Sequence, residues 1–227
     1  MIPSSPVRFY GSAVGKKIVV ALTGALLVLF LLGHSLGNLL VFEGRGETPE
    51  TTKLNEYAEL LRVEPAFLWG VRLVLLAAAL LHVVTTVLLA LQNRAARGTP
   101  YGVKKHQAAG IASRTMIYGG LLLAAFIVYH ILHFTAGSVH RSLFEHGDVF
   151  SNVVRSFRNP FIAGAYLLAQ VFLFLHLKHG IKSLAETLGV SHPRYVALFR
   201  RGGPALALLL AIAFSSVPLA VLLGLVA

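Results

Sequence analysis

Charged side chains are absent from five long stretches of the chain, 18–42, 73–93, 115–140, 159–177 and 202–227, each 19 to 26 residues long. A helix needs about 20 predominantly apolar residues to cross the hydrocarbon layer. Each stretch therefore predicts one membrane span. Extended to nearby polar boundaries, the spans fall at about 18–42, 65–93, 113–138, 159–186 and 203–226. Pro65, Pro160 and Pro204 sit near span starts, where a helix tolerates proline best. The fold expected is an all-α integral membrane bundle of five helices. It forms a single transmembrane domain over 1–227, with 1–17 as a short arm. The first run is longer than a secretory h-region and has no cleavage signature after it, so it is expected to stay as span one. No long-period repeat is expected.

Composition and charge fix the orientation. Only 13% of the 227 residues are charged and 56% are apolar, against roughly 25% charged in a soluble domain. With no cysteine, thiol catalysis, disulfides and clusters ligated by this chain are excluded. The 20 Lys and Arg outnumber the 9 Asp and Glu, but they lie in short connections, not on one face of a folded domain, so no nucleic acid partner is expected. Residues 1–17, 94–114 and 178–201 hold most of them, Arg8, Lys104 and Arg200 included, while 43–64 and 141–158 hold three each. Short loops rich in Lys and Arg stay cytoplasmic. The N-terminus is thus expected inside and the C-terminus outside.

Histidine carries the candidate chemistry. Spans one to four each hold at least one, and an ionisable residue within a span is a functional candidate by default. His34, His82, His130 and His176 lie 15 to 17 residues after their span starts, roughly 23–26 Å along each helix at about 1.5 Å per residue. Because alternate spans run in opposite directions, His34 and His130 share the outer half of the membrane, and His82 and His176 the inner half. Two imidazoles facing each other between helices can hold a haem iron axially. Two histidines per level are too few for zinc, which takes four ligands. A proton relay would use acids deep within the spans, and the one acid there, Glu186, lies at the inner end of span four, too close to the surface. Small residues nearby, among them Gly33, Gly37, Gly120 and Gly180, would admit a flat macrocycle, although they also favour plain helix packing.

His133 and His179 follow His130 and His176 by three residues, on the same helical face. They would replace them as ligands, bond haem propionates, or line a quinone pocket. Lys178, Lys182 and Arg114 at the inner edge would pair with propionates or with lipid phosphate. His106, His140, His146 and His192 fall in loops and receive no role.

The segment Gly15–Leu40, GKKIVVALTGALLVLFLLGHSLGNLL, resembles the opening of the five-helix, di-haem cytochrome b anchor of succinate dehydrogenase and fumarate reductase. The likeness rests on His34 with Asn38 four residues on, His82 within LLHVVT, Gly120 ten residues before His130, and His176 followed by Gly180, Ser183 and Gly189. It extends over most of Val14 to Val190 and favours His130 and His176 over His133 and His179 as ligands. The resemblance implies two b haems, an outer one on His34 and His130 and an inner one on His82 and His176. It implies two partner subunits, a flavoprotein with FAD and an iron–sulfur protein, with the succinate or fumarate site on the former. Electrons would pass to membrane quinone, menaquinone or ubiquinone, within a respiratory complex of the bacterial cytoplasmic membrane. A quinone site near the outer haem would use a glutamate as proton acceptor, for which Glu56, Glu59 and Glu64 are the candidates. Two rival readings stay open. One is a di-haem anchor for another dehydrogenase, such as a hydrogenase or formate dehydrogenase; the other is a haem-free anchor or small transporter.

Overall fold

The computed structural model describes residues 6–96 and 111–227, and every regular element among them is helical. A short α1 (Pro6–Gly11) leads into α2 (Ala13–Leu39), which ends in a 3-10 turn at Leu40–Glu43. Next come α3 (Lys53–Leu60), α4 (Pro65–Ala95) and α5 (Ile111–His130), the last continuing as a π turn over Ile131–Thr135. The chain finishes with α6 (Val149–Phe157), α7 (Pro160–Thr187) and α8 (Pro193–Leu222). Five helices are long and apolar enough to cross a membrane: Ala13–Glu43, Pro65–Ala95, Met116–Thr135, Pro160–Thr187 and Pro193–Leu222. The chain has the architecture of a multi-pass membrane protein.

Local signals explain where these helices begin. Ser12 Oγ accepts from the Gly15 amide at 2.9 Å and Asn159 Oδ1 from the Phe161 amide at 3.0 Å, each satisfying an N–H that an unfinished first turn leaves free. Pro65, Pro160 and Pro193 occupy first-turn positions, where no amide hydrogen is missed. The fifth helix corrects the sequence expectation. It begins at Pro193, capped by His192, ten residues before the boundary expected at 203, and Pro204 and Pro218 lie inside it. Within a bilayer a helix survives an interior proline, because no unfolded backbone alternative can satisfy its polar groups there.

Packing is closest between α7 and α8, α2 and α4, and α5 and α7. Many outward-facing side chains are bare, Leu29 and Phe161 among them, as expected of helices meant for lipid. The end carrying residues 40–64 and 136–159, here called the cap end, contains a compact core. Val41, Leu54, Phe150, Val154 and Phe157 are buried there together with Val217 and Val221 of α8. A polar clasp joins its two loops: Asn55 Nδ2 donates to Asp148 Oδ1 at 3.0 Å and to the Pro49 carbonyl at 2.9 Å, while the Phe150 amide donates to Asn55 Oδ1 at 2.9 Å. Ser151 donates to Asp148 from both its amide (3.0 Å) and its hydroxyl (2.6 Å), which caps α6. The opposite end, here called the basic end, carries Lys16, Arg94, Lys178 and Arg194.

Candidate functional site

The structure brings the four span histidines together as two pairs. The His34 and His130 rings lie 5.8 Å apart at 80°, and the His82 and His176 rings 6.3 Å apart at 62°. Yet the backbones of α2 and α5 do not pack closely among the described residues, nor do those of α4 and α7. The imidazoles reach across each gap. Two metal–nitrogen bonds of about 2 Å each, with half a ring beyond either nitrogen, give a centroid separation of about 6 Å. Both pairs match that spacing. Among the described residues no three His, Asp or Glu side chains converge, so each level offers two ligands and no more. A macrocycle that brings its own four equatorial donors fits such a pair; a bare zinc ion does not.

The surroundings of the His82 and His176 pair allow a stricter test of fit. A Cβ added at Gly24 would sit 3.2 Å from His82 Cε1 and 3.6 Å from its Nδ1. A Cβ added at Gly120 would sit 3.2 Å from His176 Cε1 and 3.5 Å from its Nδ1. Each ring thus rests its Nδ1–Cε1 edge on a neighbouring glycine. The Thr23 hydroxyl donates to the Val19 carbonyl at 2.7 Å, so its contact of 3.1 Å with His82 Nδ1 has the ring as donor. With the His82 proton on Nδ1 in that contact, the lone pair would be on Nε2, the arrangement a metal ligand needs. His176 Nδ1 is buried with no hydrogen-bond partner of good geometry among the described residues; the polar group beside it is the Met116 backbone.

The equal distances go with equal spacings along the chain. Gly24, Phe30 and His34 recur at the same spacing as Gly120, Phe126 and His130. Gly70 and His82 recur as Gly164 and His176. Phe30 stacks on His34 at 5.2 Å, and Phe126 lies against His130 at 6.0 Å. The two histidine pairs thus join α2 to α5 and α4 to α7 at matching sequence positions. Gly24 and Thr23 are site residues that the sequence reading missed; the repeated ten-residue spacing from glycine to histidine was the available signal for Gly24.

Other expected residues are placed differently. His133 is 2% exposed and spends both ring nitrogens on protein hydroxyls, Nδ1 on Tyr166 Oη and Nε2 on Ser156 Oγ, each at 3.0 Å. His133 lies within the π turn that starts at Ile131 and still faces the same Tyr166 hydroxyl as His130, with its other nitrogen taken by Ser156. His179 is half-buried on a regular turn of α7. Lys178 is exposed with its ammonium 5.6 Å from the Phe174 ring centroid, and Lys182 pairs with Glu186 at 3.6 Å in the open. The side chain of Arg114, like Arg97, Lys104, Lys105 and His106, lies outside the described residues. Gly37 accommodates Tyr57, not a macrocycle. Glu56, Glu59 and Glu64 are all exposed at the cap end, Glu56 bonded to Lys53 at 2.7 Å. Lys16 was given no site role, yet it is buried at the basic end, donating to the Gly11 carbonyl at 3.0 Å beside Tyr10. Tyr10 in turn bonds Thr85 at 3.0 Å, one turn from His82.

No family model, curated protein or solved structure matches the chain.

Proposed function

We propose that this chain is the cytochrome b membrane anchor of a succinate:quinone oxidoreductase, with one b haem on His34 and His130 and a second on His82 and His176. The observation that carries the reading is the pair geometry: imidazoles 5.8 and 6.3 Å apart across helix pairs whose backbones stay separate. The glycine rests and the Nδ1 proton of His82 add support. The haem-free readings give no reason for paired, pre-oriented imidazoles at two levels. The spacing of His34 to Asn38, and of His176 to Gly180 and Ser183, favours the succinate and fumarate enzymes over hydrogenase or formate dehydrogenase anchors.

When bound, each haem supplies a one-electron carrier. The chain's own part is to hold the two levels apart along the bundle and to fix each ligand's tautomer. In this reading the chain sits in a bacterial cytoplasmic membrane with the N-terminus and the basic end inside and the C-terminus outside, which the excess of Lys and Arg at that end supports. A flavoprotein with FAD and an iron–sulfur protein dock at that basic end, and no side chain of this chain acts on succinate. Lys16, Lys178, Lys182 and Arg114 are the cations there for haem propionates or lipid phosphate. The cap end faces outward, where Glu56, Glu59 and Glu64 are the carboxylates within reach of a quinol proton.

The test is a dithionite-minus-oxidised visible spectrum of the purified complex, with haem quantified per polypeptide and copurifying subunits identified. Two b haems are expected, with His130→Ala and His82→Ala each removing a different one. A colourless protein would refute the reading; a hydrogenase or formate dehydrogenase partner would redirect it.

A further inference from the structure

The two ligands that bond hydroxyl groups do so differently. His82 has the single Thr23 hydroxyl, whereas His130 faces a chain of three side chains from separate elements. Tyr166 Oη of α7 lies 3.4 Å from His130 Nδ1 and 3.0 Å from His133 Nδ1. His133 Nε2 lies 3.0 Å from Ser156 Oγ of α6. His133, Ser156 and Tyr166 are all buried, at 2%, 1% and 6% exposure, so water does not compete for these bonds. The π turn makes the chain possible. Its wide bond, from the Ala136 amide to the Ile131 carbonyl at 2.8 Å, turns His133 towards α6 and α7. Such a turn costs good α-helical geometry and is commonly found at functional positions.

We propose that Tyr166, oriented by His133 and Ser156, is a positioning residue that holds His130 in its iron-binding tautomer. The inference rests on the di-haem reading. A tyrosine hydroxyl has one proton, and a neutral imidazole carries one on either nitrogen. If His130 gives Nε2 to iron, its proton is on Nδ1 and is donated to Tyr166 Oη. Tyr166 then donates to His133 Nδ1, and His133 Nε2–H donates to Ser156 Oγ. Tyr166 and His133 in the middle each donate once and accept once, while His130 at one end donates and Ser156 at the other accepts. The reverse polarity would have Tyr166 donating to His130 Nδ1, leaving the proton on Nε2 and no lone pair for iron. Because His133 has both nitrogens committed, its tautomer sets the polarity of the whole chain. Hydrogen bonding from the outer nitrogen also makes a ligand imidazole more basic, which favours oxidised iron.

Tyr166→Phe keeps the aromatic packing against Phe126, Phe134 and Phe157 and removes only the hydroxyl. Redox titration of the assembled complex is expected to show a raised midpoint potential for the haem lost in His130→Ala, with the other haem unmoved. Ser156→Ala, at the far end of the chain, should shift the same haem in the same direction by less. Unchanged potentials in both variants, or equal shifts of both haems, would overturn the inference while leaving the di-haem reading intact. A wild-type complex without haem would instead overturn that reading. If Tyr166→Phe fails to assemble, Ser156→Ala decides by the same criteria.

Discussion

Replacing Gly120 by alanine separates a ring that can move from a ring that is held. The new methyl would sit 3.2 Å from His176 Cε1, tighter than ordinary van der Waals contact, so the imidazole must retreat by a few tenths of an ångström. Alanine gains about 0.5–1 kcal/mol over glycine in a helix interior. Overpacking a fixed neighbour costs about 1–3 kcal/mol. In haem-free protein the His176 ring yields, and the substitution is neutral or mildly stabilising. With iron on Nε2 the ring is tethered on its far side and cannot yield. The helix gain is common to both states and cancels, so the overpacking cost of about 1–3 kcal/mol falls on haem binding, a loss of roughly 5- to 150-fold in affinity at that level. The assay is haem per polypeptide at limiting haem, resolved into the two components, beside thermal unfolding of haem-depleted protein. Gly24→Ala should behave alike through His82. Gly164→Ala, whose Cβ would meet nothing within 4 Å, is the control and should keep both haems. Wild-type affinity in both Gly24→Ala and Gly120→Ala would refute the idea that these glycines seat ligand rings.

Three further outcomes follow from particular contacts. Thr23→Val keeps the side-chain shape but removes the acceptor for His82 Nδ1; loss of such a partner typically weakens metal binding 10- to 100-fold, and Thr23→Ser should restore it in the same haem titration. Asn55→Ala strands the buried Phe150 amide and leaves Asp148 one donor short, at about 1–3 kcal/mol per unmade bond; a lowered midpoint of thermal unfolding with both haems retained is expected, and an unchanged midpoint would show the clasp to be idle. Burial alone would raise the Asp148 carboxyl, but the Ser151 hydroxyl and amide, the Asn55 amide and nearby Arg45 outweigh it and hold it below its ordinary value. A depressed carboxyl contributes stability above its unfolded pKa of about 3.9 and loses it as pH falls through the folded value. Unfolding followed from pH 5 downward should therefore steepen below about pH 4 in the wild type and flatten in Asp148→Asn.

What the sequence determined by itself is the part of the protein that lipid dictates. A bilayer permits no unpaired backbone, so a charge-free stretch of some 20 residues has one conformation open to it, and its rise turns residue counts into depth. The five spans and the two histidine levels were legible for that reason. The pairing of His34 with His130 and of His82 with His176 followed from the same counting. Rotation about each helix axis was not legible, because charge-free spans carry little periodic contrast to say which face meets which neighbour. Tertiary structure alone decided that Gly24 lies under His82, that Thr23 takes its Nδ1 proton, and that Gly37 is filled by Tyr57. The π turn shows the limit most clearly. Within it, His133 bonds Tyr166, which His130 shares, and Ser156, partners that residue spacing did not show. Nor could sequence spacing show Asn55 and Asp148 as partners, since they lie 93 residues apart and meet only when two loops fold over the same end of the bundle.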